Sequence, residues 1–99
     1  MKSILQDENN KECYLCRQLF GWHITGRLEC HHIFGGGNRK NSEMYGLKVF
    51  LCHHHHNTPP LGVHFNALNM EFLRAKGQLA FEKNHTREEF IKIFGRNYL

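Results

Sequence analysis

The chain contains no apolar run long enough to span a bilayer, so a membrane protein is not expected from its 99 residues. Met1 to Glu8 shows neither an apolar stretch nor a small-residue cleavage site, so no secretory leader is expected either. In that setting the 4 cysteines read as metal ligands or buried thiols, not as a disulfide framework. No internal repeat and no low-complexity linker divides the sequence, which reads as a single domain over residues 1–99. There is no His-Glu-x-x-His helix, and no carboxylate stands beside the histidines except Glu29. That absence argues against a zinc hydrolase acting on a small molecule.

What the chain does have is histidine and a modest excess of positive charge. Thirteen Lys and Arg against 9 Asp and Glu give a formal net charge of +4, with 9 histidines counted as neutral. This balance suits a polyanionic partner without establishing one. A domain of this length buries roughly 60–65% of its unfolded surface, which leaves it marginal without help. A structural metal would supply that help, because zinc binding in small domains is worth about 10–16 kcal/mol.

Residues 1–12 are polar and read as a loosely ordered N-terminus. Cys13-Tyr14-Leu15-Cys16 has the spacing of a zinc knuckle, in which a tight turn aims two thiolates at one ion. Arg27 to Ile33 alternates weakly and reads as a strand ending near Ile33, followed by an exposed loop at Gly35-Gly36-Gly37. Leu47 to Leu51 reads as a second strand, and residues 53–57 as a short helix cut off by Thr58-Pro59-Pro60. The four consecutive histidines of that helix follow an apolar strand inside the chain, so they belong to the protein and are no tag. Phe65, Leu68, Phe72, Ala75 and Leu79 recur at helical spacing and predict one apolar face of a helix over about 65–83, weakened locally by Gly77. Thr86-Arg87-Glu88-Glu89 is a capping box opening a second helix with Phe90, Ile93 and Phe94 inward. The two C-terminal helices, within residues 65–99, are expected to pack on a metal-bound core over 13–64.

Cys13, Cys16 and Cys52 supply three thiolates, and His55, three residues after Cys52, completes a Cys3His set for structural Zn2+. His54 or His56 is an alternative fourth ligand, since four histidines are adjacent. Cys30 reads as a core thiol. His31 and His32 occupy successive strand positions and therefore point to opposite faces. One of them is free to bind a metal while the other serves as a base or in packing. If His31 faces His56, the two imidazoles form an open site with positions left for water or substrate.

Taken together, Cys-x-x-Cys, Glu29-Cys30-His31-His32-Ile33, the glycine loop and Leu51-Cys52-His53-His54-His55-His56-Asn57 resemble the HNH (ββα-metal) endonucleases. The likeness covers roughly residues 13–64. It is nearest to small phage and prophage members with zinc knuckles, including phage recombination-enhancement nucleases. The resemblance implies an α+β fold, a zinc-stabilised treble-clef or ββα-metal core with two C-terminal helices. It implies a DNA endonuclease that hydrolyses phosphodiester bonds using a histidine base and one catalytic divalent ion. On this likeness His31 and His56 are ligands of the catalytic metal, His32 is the general base, and His64, in a Gly-Val-His step, completes the metal shell. A non-catalytic treble-clef module that binds nucleic acid or a protein partner is the alternative. The family's middle Asn is expected about five residues before Cys52, where Leu47 stands. Its role then falls to a backbone carbonyl, Tyr45 or Asn41.

Two imidazoles in place of an Asp-His pair favour Mn2+, Ni2+, Co2+ or Zn2+ over Mg2+. Arg39 and Lys40, directly after the glycine loop, are placed to contact DNA phosphates. The likeness further implies a cytoplasmic protein of a bacterial host cell, with phage recombination or packaging proteins as partners.

Overall fold

A two-stranded antiparallel sheet is built from Leu28–His32 (β1) and Lys48–Cys52 (β2). The computed structural model describes all of residues 1–99, and it is an α+β fold. The sheet register sets Leu28 opposite Cys52, Glu29 opposite Leu51, His31 opposite Val49 and His32 opposite Lys48. Glu29 and His31, two residues apart, therefore share one face of β1, and His32 takes the other. Val49, Leu51 and Leu47 are fully buried, and Phe50 on the other face of β2 is buried as well.

Before the hairpin, helix α1 runs over Tyr14–Phe20. The expected tight knuckle turn is thus a helix start. Cys13 is its N-cap, with Sγ accepting from the Cys16 amide at 3.4 Å, and Gly21 closes it in the left-handed conformation at φ 71°. The residues expected to be a loosely ordered N-terminus are instead hydrogen-bonded along β2. Ile4 N–H donates to the Gly46 carbonyl at 2.9 Å, Ser3 Oγ to Lys48 O at 2.6 Å, and Phe50 N–H to Gln6 Oε1 at 2.7 Å. The free edge of β2 needs such partners.

The glycine loop is short as well. A 3-10 turn at Gly36–Asn38, within the expected glycine loop, leads directly into a helix that was not expected, α2, Arg39–Met44. Only Ser42 of α2 is buried, so the helix has no apolar period by which to recognise it. Beyond β2 the chain enters α3, His53–His56, with no intervening loop.

Helix α4 spans Ala67–Phe81 and is capped by Asn66, whose side chain accepts from Asn69 N–H at 2.9 Å. Its inward face is corrected relative to the expectation. Leu73, Gly77, Gln78 and Phe81 are buried, whereas Phe65, Leu68 and Leu79 are exposed. Glycine at 77 explains why: a Cβ there would lie 3.2 Å from Ile33 Cδ1 and 3.3 Å from Phe34 Cε2. The helix sits so close to the end of β1 that any side chain at 77 would press Ile33 and Phe34 aside. Helix α5, Arg87–Phe94, carries the expected capping box between Thr86 and Glu89. Phe34, Phe81, Phe90 and Phe94 form one aromatic cluster with ring centroids 4.7–6.0 Å apart. No helix is long and apolar enough to cross a membrane.

Gly77→Val is expected to destabilise the protein by about 1–3 kcal/mol through overpacking against Ile33 and Phe34. A urea melt checks this: the midpoint should fall with an unchanged slope. An unaltered or raised midpoint would show that the close helix approach is not needed.

Candidate metal centre

The passage from β2 into α3 places two imidazoles on different sides of the chain. His55 is buried against Cys13, Cys16 and Cys52, and His56 turns toward His31 and His64. These are two separate groups of donors.

In the first group Cys16 Sγ and Cys52 Sγ are 3.9 Å apart. His55 Nδ1 lies 3.7 Å from Cys13 Sγ and 3.4 Å from each of Cys16 Sγ and Cys52 Sγ. A tetrahedral zinc with Zn–S about 2.3 Å and Zn–N about 2.0 Å sets its donors roughly 3.5–3.8 Å apart. These separations are near those values, all four donor atoms lie within 4.8 Å of one another, and together they can hold a metal ion such as zinc. Burial raises the Cys13 thiol, and burial with the neighbouring Cys13 and Cys52 raises Cys16 further. Three thiolates this close are unfavourable without a cation, and a bound ion reverses that preference. Phe20 stacks over His55 at 6.2 Å and covers the group from outside. His54 is exposed and is not part of either group. Cys30 is exposed on β1 and outside the cluster, correcting its reading as a core thiol.

The second group joins His31 from β1, His56 from α3 and His64 from the loop that follows, with donor nitrogens all within 4.8 Å of one another. His56 Nε2 and His64 Nε2 stand 3.2 Å apart. His31 is buried, and its Nε2 has no hydrogen-bond partner. Burial, with His56 and His64 beside it, lowers the His31 pKa to about 3, so it is held as a neutral imidazole. An unpartnered buried nitrogen facing two further imidazoles fits a cation with open coordination positions.

The carboxylate of Glu29 orients this group. It lies 2.8 Å from His56 Nδ1, 3.3 Å from His53 Nδ1 and 3.1 Å from Asn57 Nδ2. His56 and then His53 hold its carboxyl below the usual range. With Nδ1–H of His56 donating to Glu29, Nε2 is left as the ligand atom, the arrangement by which carboxylates support metal-bound histidines. Gly62 sets His64. A Cβ at Gly62 would lie 2.7 Å from Thr58 N, so the loop closes tightly enough for Val63 N–H to donate to His55 O at 2.8 Å.

His32, on the opposite face from His31, has its Nε2 2.9 Å from Glu43 Oε1. Glu43 also accepts from Lys48 Nζ at 3.0 Å. The N-terminal ammonium, His32 and Lys48 keep its carboxyl far below the usual range. Neither Tyr45 nor Asn41 is hydrogen-bonded to His32. Tyr45 packs on Phe81, His85 and Phe94, and Glu43 is the partner of His32.

A cleft of about 540 Å³ is lined by His31, His32, His56, His64, Arg39 and Arg74, and no acidic side chain lines it. Lys40 lies in an adjoining hollow with His32, Arg39 and Glu43. Arg39 and Lys40 are therefore on α2 and not in an open loop. Arg74, Glu43 and the orienting role of Glu29 were not anticipated. The Glu29-x-His31 alternation was the one available signal, as it puts both residues on one face. No family model, curated protein or solved structure matches this chain.

Cys52→Ser is expected to lose the first ion and the folded near-ultraviolet circular dichroism together. His56→Ala should keep both and lose the second ion. Metal analysis after dialysis against Mn2+ separates the two. Loss of folding in both variants, or of neither ion in His56→Ala, would contradict two independent sites.

Proposed function

We propose that the protein is a metal-dependent endonuclease of the HNH type that hydrolyses DNA phosphodiester bonds. On this reading Cys13, Cys16, Cys52 and His55 hold a structural Zn2+, and β1, β2 and α3 form a ββα-metal core. The observation that carries the reading is the joining of two histidine devices in one cleft. A three-imidazole group, supported by Glu29, lies beside a separate histidine paired with a carboxylate. A purely structural zinc module has no use for either device.

A divalent cation on His31, His56 and His64 supplies positive charge against the phosphate and its leaving oxygen. The remaining chemistry belongs to the chain. Glu43 is ionised and can only accept, so the hydrogen of the pair resides on His32 Nε2. In the neutral ring Nδ1 is then the acceptor nitrogen, the one that takes a proton from water. The water oxygen adds to phosphorus, one P–O ester bond breaks, and the departing oxygen is protonated from solvent. Glu43 fixes the ring and its tautomer and stabilises the imidazolium that forms. Arg39 and Lys40 on α2 hold phosphate oxygens of the strand. Imidazole ligands favour Mn2+ or Ni2+ over Mg2+ in this role.

Supercoiled plasmid with Mn2+ tests the proposal. His32→Ala should cut about 10²–10⁴-fold more slowly with its zinc content unchanged. Equal cutting by wild type and His32→Ala would remove the base assignment, and no cutting by wild type with any divalent ion would remove the nuclease.

A further inference from the structure

We propose that Arg74, steadied by the C-terminal Tyr98, clamps the phosphodiester that lies over the histidine group. This inference rests on the nuclease reading and extends it to an element outside the metal core. Arg74 stands on α4, one turn before Gly77. The close approach that Gly77 permits brings α4 against Ile33 and Phe34, immediately after the His31-His32 step. The guanidinium thereby lines the same cleft as His31, His32, His56 and His64.

The binding capacity of Arg74 is incompletely used within the protein. Nη1 donates to Glu71 Oε1 at 2.9 Å, but Nε is buried and has no partner. A buried N–H donor normally finds an acceptor. An anion oxygen in the cleft would provide one, and the planar fork of arginine suits the two free oxygens of a phosphodiester. The cleft favours an anion, as Arg39 enters it from α2 and no carboxylate lines it.

Support for Arg74 comes from the end of the chain. The Tyr98 ring lies 5.6 Å from Arg74 Cζ, with Arg96 Cζ over the same ring at 4.4 Å. The Tyr98 amide donates to Gln78 Oε1 at 2.7 Å, and Gln78 is fully buried on α4. The tail is thus pinned to the helix that carries Arg74. Tyr98 is a positioning residue, and Arg74 is the group that touches the substrate.

The test is fluorescence anisotropy of a short labelled DNA duplex with the zinc-loaded full-length chain, without a second cation, across a range of potassium chloride concentrations. Arg74→Met should weaken binding about tenfold and lower the slope of log K against log salt by about one, as expected for the loss of one phosphate contact. Arg74→Lys should retain the slope with part of the affinity. Tyr98→Leu should weaken binding, and Tyr98→Phe should restore it. Zinc content and the thermal midpoint of each variant separate these effects from unfolding. If Arg74→Met binds with wild-type affinity and slope while the wild type still cuts plasmid, Arg74 is structural and the nuclease reading stands alone. If the wild type binds no duplex, both fail.

Discussion

Three sulfurs and one imidazole, their donor atoms all within 4.8 Å of one another, are the constraint on which the rest of this molecule depends. They tie the start of α1 to the junction of β2 and α3, two segments 36 to 42 residues apart in sequence. Once His55 is committed to the thiols, its neighbour His56 must face another direction. In a helix successive side chains are rotated by about 100°. That direction is toward β1, where Glu29 and His31 share a face. The scaffold therefore determines where the second group of histidines can form, and one residue step divides the two groups of donors.

The rest of the fold supplies rigidity around this junction. Phe34 follows the strand that carries His31 and His32, and it anchors a cluster with Phe81, Phe90 and Phe94. The C-terminal helices thus bear on the chain two residues beyond His32, between the cleft-lining Ile33 and Gly35. Gly77 governs how closely they approach. On the other side the N-terminal segment covers the edge of β2 through Ser3, Ile4 and Gln6. Both ends of the chain contribute to holding a hairpin too small to be stable alone.

Much of the site was legible because metal ligation and strand alternation are local rules. Cys13, Cys16, Cys52 and His55 follow from ligand spacing, and the opposite faces of His31 and His32 follow from the pleat. Capping made α5 readable at Thr86 and Glu89. Other features depend on docking, which spacing does not encode. Helix α2 buries only Ser42, and its one apolar residue, Met44, is exposed, so it carried no periodic signal. Helix α4 bears two sets of apolar residues, and packing against Ile33 and Phe34 selected the one with Leu73 and Phe81 over that with Leu68 and Leu79. Arg74 reaches the cleft from a helix distant in sequence from the histidines, and Glu43 meets His32 from α2 in the adjoining hollow. The partner of His32 was sought at Tyr45 and Asn41, each two residues from the acid that pairs with it.

The central claim is that one short stretch, Cys52 to His56, serves two ions of different character. Stepwise addition of Co2+ to the metal-free chain, followed by absorption spectroscopy, tests it most directly. The account predicts that the first equivalent gives intense thiolate-to-cobalt charge transfer with tetrahedral ligand-field bands. A second, weaker equivalent should then add ligand-field bands without further charge transfer. Saturation at one equivalent, or thiolate charge transfer growing with the second, would contradict it.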